Sequence, residues 1–375
     1  MSALTKTEIL NSIRHQVKEA NVTNIARTNA YHSFYKAYPE IDWALLAHLV
    51  SRNGGWQMTD LCGEWLPKIL PQQEIDDFFI LLERCNWLIF QDAYPQLLLY
   101  AAMQTHTQDF SSWLPELGVS EFMIPIWSRF WNRVSQSKGK AWKPFDTALQ
   151  DERRRLTWAL IINEQNYIHQ RVITHPYFVA HVLERLDFTL PEMFSLQQVL
   201  FPYQIQIPCS NTYDKMLGLG IAHFEKLSSR IQIGKTLYHH LFADPERLKA
   251  ICRFCEEVKH TGSRSDYWPL RFTSTKEKVS ESSSTTAYSS PYYSPALQQV
   301  WSPVRHKNAG GMDWFCDVSW YDKLVAESLL PVTGEAEYES ALDMIKQGTH
   351  WFAPFLKIKQ WLQSHHKSSS FFKTK

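Results

Sequence analysis

The sequence predicts an all-α fold: an irregular multi-helix domain with a mobile Ser-rich loop and a helical C-terminal segment. Three observations carry this. Glycine is sparse, at 13 of 375 residues, and glycine-bearing two-residue turns between alternating strands are scarce. Apolar residues recur at three- and four-residue spacing through most of the chain. Helix starts and stops punctuate that pattern, among them Asp244-Pro245-Glu246 and Gly54-Gly55.

Taken in order, the first helix is expected over residues 7–19 and the second over 24–38, where Pro39 ends it. The third covers 41–53 and should close at Gly54-Gly55, because glycine adopts the left-handed conformation of a helix end without steric cost. After a loop with Pro67 and Pro71, residues 74–104 read as one or two helices, with Pro95 as the point of interruption. Further helices are expected over 120–135, over 145–173 with a break at His175-Pro176, and over 177–186. Residues 211–242 read as a long helix or a helix pair. At Asp244 the next one starts: Asp caps the free amides, Pro fits the first turn, and Glu suits the positive end of the dipole.

These elements form a main domain over 1–272. The run Ser282-Ser283-Ser284-Thr285-Thr286 sits in a stretch too poor in apolar residues to offset the entropy of ordering, so 273–298 is read as a mobile loop. Residues 299–375 form a C-terminal segment, irregular at first and helical over 320–329 and 337–363, expected to dock on the main domain. No repeat period is visible.

Composition excludes several classes. Lys+Arg 39 against Asp+Glu 38 leaves a net charge of +1, which argues against broad, salt-driven nucleic-acid binding. Residues 1–11 are polar and lack the apolar core of a secretory signal. The most apolar stretches, such as 97–103, fall well short of the roughly 20 residues a membrane helix needs. Six cysteines in a chain this long do not make a disulfide scaffold. The expectation is a cytoplasmic protein without membrane insertion. The 15 Trp are read first as core anchors and second as stacking surfaces for sugars or bases.

Three segments carry candidate chemistry. In the third helix His48, Ser51 and Arg52 share a face, followed by Asn53, and Arg52 has the planar fork that clamps a carboxylate or phosphate. In 163–171, Glu164 and Tyr167 share a face behind an apolar run, where a buried carboxyl serves as a general acid or base if its pKa is raised. In 260–269, His260-Thr261-Gly262-Ser263-Arg264-Ser265-Asp266 gathers amides, hydroxyls and a guanidinium suited to an anion. Each has a plainer alternative: a satisfied helix end, a buried Glu–Arg pair, and a capped turn. Gly234-Lys235-Thr236 lacks the upstream glycine of a phosphate loop, since position 229 is Ser229. Cys252-Arg253-Phe254-Cys255 lacks a second pair, so no metal is expected, and no cofactor motif is present.

At these segments the chain resembles a YppC-like bacterial family of uncharacterised function. The residues that carry the resemblance are Arg27-Thr28-Asn29-Ala30-Tyr31, Ser51-Arg52-Asn53-Gly54-Gly55-Trp56, Asn163-Glu164-Gln165-Asn166-Tyr167 and His260-Thr261-Gly262-Ser263-Arg264-Ser265-Asp266-Tyr267-Trp268-Pro269. The resemblance implies a bacterial cytoplasmic protein and no particular reaction.

The functional expectation is a polar pocket for a small anionic ligand where Arg52, Glu164 and Arg264 converge, supported by His48, Asn53, Asp60, Tyr167 and Asp266. On that reading Arg264→Ala removes ligand binding and leaves the fold intact. Whether the protein is an enzyme is open; if it is, Glu164 would be the general base of a hydrolase or transferase. The alternative is a non-catalytic interaction or scaffold protein whose aromatic surface meets a protein partner.

Overall fold

A computed structural model describes residues 5–136, 147–186, 189–194, 205–208, 216–220, 223–276 and 291–309, with positions 330 and 340. The fold is mostly helical. Its helices are α1 (Lys6–Ala20), α2 (Asn24–Ala37), α3 (Asp42–Asp60), α4 (Leu66–Ile69), α5 (Gln72–His106), α6 (Met123–Gln136), α7 (Thr147–Ile168), α8 (Pro176–His181), α9 (Leu227–Phe242), α10 (Pro245–Glu257) and α11 (Leu297–Val300). Two short sheets accompany them. One is antiparallel, β1 (Ile205–Pro208) with β2 (Met216–Leu219); the other is parallel, β3 (Phe272–Thr273) with β4 (Tyr292–Tyr293).

Helix starts follow local chemistry. Thr5 and Glu8 form a reciprocal cap on α1, with Thr5 N donating to Glu8 Oε2 at 2.7 Å and Glu8 N donating to Thr5 Oγ1 at 3.3 Å. Asp244 Oδ1 accepts from Glu246 N at 2.9 Å and caps α10, as its sequence predicts.

Helix ends depart from expectation. α3 does not stop at Gly54-Gly55 but continues to Asp60. The two glycines serve close approach instead of termination. A Cβ on Gly54 would lie 2.9 Å from Asn86 Oδ1, and one on Gly55 would lie 2.6 Å from Asn24 Oδ1 and 2.8 Å from His260 Nε2. α5 runs unbroken through Pro95, because packing against α1, α2, α3 and α7 outweighs one missing hydrogen bond. α7 passes into a π-turn over His169–Ile173, closed by Thr174 N donating to His169 O at 2.9 Å. The helix expected over 211–242 begins only at Leu227. Met216–Leu219, where Gly218 weakens helical propensity, pairs with β1 instead.

The C-terminal helices expected over 320–329 and 337–363 lie outside the described residues except for Ser340, which is helical, and 277–290 of the Ser-rich stretch lies outside them as well. Its flanks meet in the β3–β4 pair, where Tyr292 N donates to Arg271 O at 2.8 Å. Residues 301–309 are irregular, and Trp301 stacks on Phe79 of α5 at 3.9 Å between ring centroids.

α3 occupies the centre. Every residue of it except Val50 is buried, and α2, α5, α7 and α9 surround it. A helix buried all round must satisfy its polar side chains inside the protein, and that requirement organises the site. Among the described residues no helix is long and apolar enough to cross a membrane.

Candidate functional site

The polar face of α3 stitches it to its neighbours. His48 Nδ1 bonds Thr28 O at 2.8 Å while its ring stacks on His32. Burial, and then the charge of Arg52, hold His48 well below its ordinary pKa, so it is neutral. Arg52 donates to Val258 O and lies 4.6 Å over the Phe254 ring. Its Nε and Nη1, and His48 Nε2, have no hydrogen-bond partner. Asn53 Nδ2 donates back to Leu49 O at 2.8 Å.

The segment 260–267 has the anion-recognition chemistry its sequence suggests, but the anions it holds belong to the chain. Arg264 grips Asp60 through Nε at 2.8 Å and Nη2 at 2.6 Å, and its Nη1 donates to Tyr267 Oη at 2.8 Å. Both members of the pair are buried. Asp266 accepts from Thr261 N at 2.9 Å, Gly262 N at 3.2 Å and Trp56 Nε1 at 3.3 Å. Burial pushes the Asp266 carboxyl up, but hydrogen bonds from His260 and Thr261 and the His260 charge outweigh it and hold it below the usual range. The turn needs Gly262, whose φ is +83° and whose absent side chain leaves room for Leu297.

A cavity of about 140 Å³ opens beside the other side of α3, between α2, α5, α7 and α9. A cavity of about 150 Å³ admits a benzene-sized molecule. Leu46, Val50, Ile89, Ile161, Ile233 and Leu237 form much of its wall. Of the residues singled out in the candidate segments, Glu164, Asn53 and Ser51 line it. His48, Arg52, Asp60, Tyr167, Arg264 and Asp266 are not among its lining residues. The arrangement therefore brings Glu164 to a cavity without bringing Arg52 or Arg264 to it, and the pocket is more apolar than expected.

The cavity's charged and polar walls come largely from residues that sequence reasoning passed over. Arg230 of α9 donates through Nε to Gln165 Oε1 at 2.9 Å and through Nη1 to Phe224 O, and lies 5.3 Å over the Phe224 ring. No carboxylate stands within ion-pair distance of it among the described residues. Burial lowers its pKa to about 10. Arg27 of α2 is paired to Glu83 at 2.6 Å, yet its Nε has no acceptor. Tyr31, one turn on, has an unpartnered Oη. Glu164 receives a 3.4 Å bond from Gln165 on Oε1, and its Oε2 has no partner at hydrogen-bond geometry. Burial drives its carboxyl well above the ordinary range; hydrogen bonding from Gln165 and the adjacent Trp43 pulls it back, and the Asp92 charge raises it further. A carboxyl raised in this way holds its proton more tightly than a free one, which favours a donor role over a base role. Arg27 and Tyr31 did stand in one of the resemblance-bearing segments, and their spacing of four on a helix was the available signal. Arg230 had none, because only the tertiary fold sets α9 against α7.

Among the described residues, no group of three or more His, Cys, Asp or Glu is placed to hold a metal. Cys255 is buried and Cys252 half-buried, and burial raises both thiols.

Fold and site together define a mostly helical protein with a buried central helix flanked by an apolar cavity that carries charged walls. The chain belongs to the family described as protein of unknown function (DUF2515), whose model matches residues 19–329. It is 40% identical over 259 residues to the Bacillus subtilis (strain 168) protein described as uncharacterized protein YppC, covering 69% of this chain and 73% of that one. No solved structure matches the chain.

Proposed function

We propose that this protein binds a small organic anion, a carboxylate on a compact apolar body, in the cavity between α2, α3, α5, α7 and α9. One observation carries the reading: the buried Arg230 guanidinium lines a largely apolar cavity with backbone and amide oxygens around it and, among the described residues, no carboxylate within ion-pair distance, the Glu225 charge reaching it only from further off. A buried charge without a counter-ion in direct contact is costly even when hydrogen-bonded, and a ligand carboxylate would complete it in a medium where the attraction is strong. Any chemistry performed on that ligand would draw on Glu164 as a proton donor.

Benzoate is a suitable probe, followed by isothermal calorimetry with wild type and Arg230→Met. The expected result is benzoate binding that weakens at least about tenfold in Arg230→Met, the loss of one charge-assisted contact. Toluene, of the same shape without charge, should bind both proteins alike. Benzoate binding that is absent, or unchanged in the variant, would overturn the proposal.

A second reading, a scaffold without a small ligand, draws support from the sealed Asp60–Arg264 pair and from Leu270, 87% exposed on the surface next to that segment. It is favoured if none of the probes shifts the thermal midpoint.

A further inference from the structure

We infer that the cavity's ligand carries, besides its carboxylate, an uncharged hydrogen-bonding group, a hydroxyl or a carbonyl, received by Arg27, Tyr31 and Glu164. The inference rests on the reading of the cavity as a ligand site and specifies what that ligand must be.

Three lining residues present a buried polar atom with no partner at hydrogen-bond geometry: Arg27 Nε, Tyr31 Oη and Glu164 Oε2, although Trp43 stands close to the Glu164 carboxyl. Leaving such atoms unpaired is unfavourable, and native interiors seldom tolerate it. The three belong to one neighbourhood. Arg27 and Tyr31 are one turn apart on α2, and the charges of both Glu164 and Arg27 are felt at the Tyr31 hydroxyl. Together they offer a guanidinium N–H, a phenol that donates or accepts, and a carboxyl oxygen.

Charge decides what they receive. The Arg27 charge is already matched by Glu83 at 2.6 Å. Burial raises the Glu164 carboxyl well above the ordinary range, and Asp92 is near enough to raise it further. A second anion placed here would meet no spare positive charge and would face Asp92. A neutral hydroxyl or carbonyl takes Arg27 N–H as donor and exchanges a hydrogen bond with Tyr31 or Glu164 at no Coulombic cost. The ligand that suits both walls is a compact apolar body with a carboxylate toward Arg230 and a neutral polar group toward α2. Small hydroxy- and oxo-acids, aromatic or branched, form that class.

The test titrates the full-length protein with benzoate, 3-hydroxybenzoate, 4-hydroxybenzoate and phenol, in wild type and in Tyr31→Phe. Tyr31 Oη has no partner to lose, so the variant should keep the wild-type thermal midpoint or exceed it. One hydroxybenzoate isomer is expected to bind at least about tenfold tighter than benzoate, one good buried hydrogen bond's worth. Tyr31→Phe should erase that gain and leave benzoate affinity unchanged. If neither isomer exceeds benzoate and phenol does not bind, the polar cluster holds water alone and the inference falls, while the carboxylate site stands. If benzoate fails but phenol binds and loses affinity in Tyr31→Phe, the reverse holds: the polar cluster is a site and the carboxylate reading falls.

Discussion

Arg264 meets Asp60 through two parallel hydrogen bonds, with Tyr267 taking its remaining nitrogen and Ser294 Oγ accepting from its backbone amide. Removing the arginine takes from a buried carboxylate the guanidinium that grips both its oxygens, a loss of about 3–5 kcal/mol. Arg264→Met is therefore expected to unfold at much lower denaturant than wild type. The double variant Asp60→Leu with Arg264→Met should be more stable than Arg264→Met alone, because no charge is left stranded. A urea titration of the three proteins decides this; a loss under about 1 kcal/mol in Arg264→Met would place the pair among weakly contributing ion pairs. The earlier expectation for Arg264→Ala, ligand binding lost with the fold intact, thus gives way to loss of folding.

At the scale of the element, α3 shows propensity overruled by packing. Gly55 in mid-helix is less favourable than alanine by about 1 kcal/mol of intrinsic propensity. Its place is nevertheless occupied on the outside: a Cβ there would meet Asn24 Oδ1 at 2.6 Å and His260 Nε2 at 2.8 Å, the two atoms that bond each other at 2.9 Å. Gly55→Ala is expected to destabilise by about 1–3 kcal/mol through overpacking, against the sign that propensity alone dictates. A gain in the urea midpoint would refute that account. The start of α10 was legible because a cap is a matter of two or three adjacent residues. The end of α3, the continuity of α5 through Pro95 and the late start of α9 were not, because each depends on what packs alongside.

At the scale of the whole molecule, burial sets how stability varies with pH. Glu164 binds its proton more tightly in the fold than in the unfolded chain, so the fold holds more protons and stability declines as pH rises from the unfolded carboxyl value of 4.5 upward through the raised one. Asp42, pushed up to about 6 by burial against the opposing Arg153 charge, acts in the same sense between 3.8 and about 6. His48 and His260, whose pKa values burial lowers, act oppositely and lose stability as pH falls below 6.5. The difference between variants isolates Glu164. Glu164→Gln should match wild type near pH 4 and become progressively more stable than it toward pH 8. Thermal midpoints across that range provide the measurement, and a difference that does not grow with pH would mean the carboxyl is ionised in the fold.

By itself the sequence determined the mostly helical class, the capped start of α10, the family likeness and the residue chemistry of its polar segments, since propensity, caps and residue identity are local properties. It singled out Glu164, which lines the cavity, and Arg264, which meets a carboxylate of the chain itself. Only the tertiary structure decided which anion each cation meets. Asp60 lies 204 residues before Arg264 and pairs with it, whereas Arg230 is brought to a cavity wall with no carboxylate within ion-pair distance among the described residues. Charge pairing falls off over a few ångströms, and distances of that size between remote segments exist only once the helices have packed.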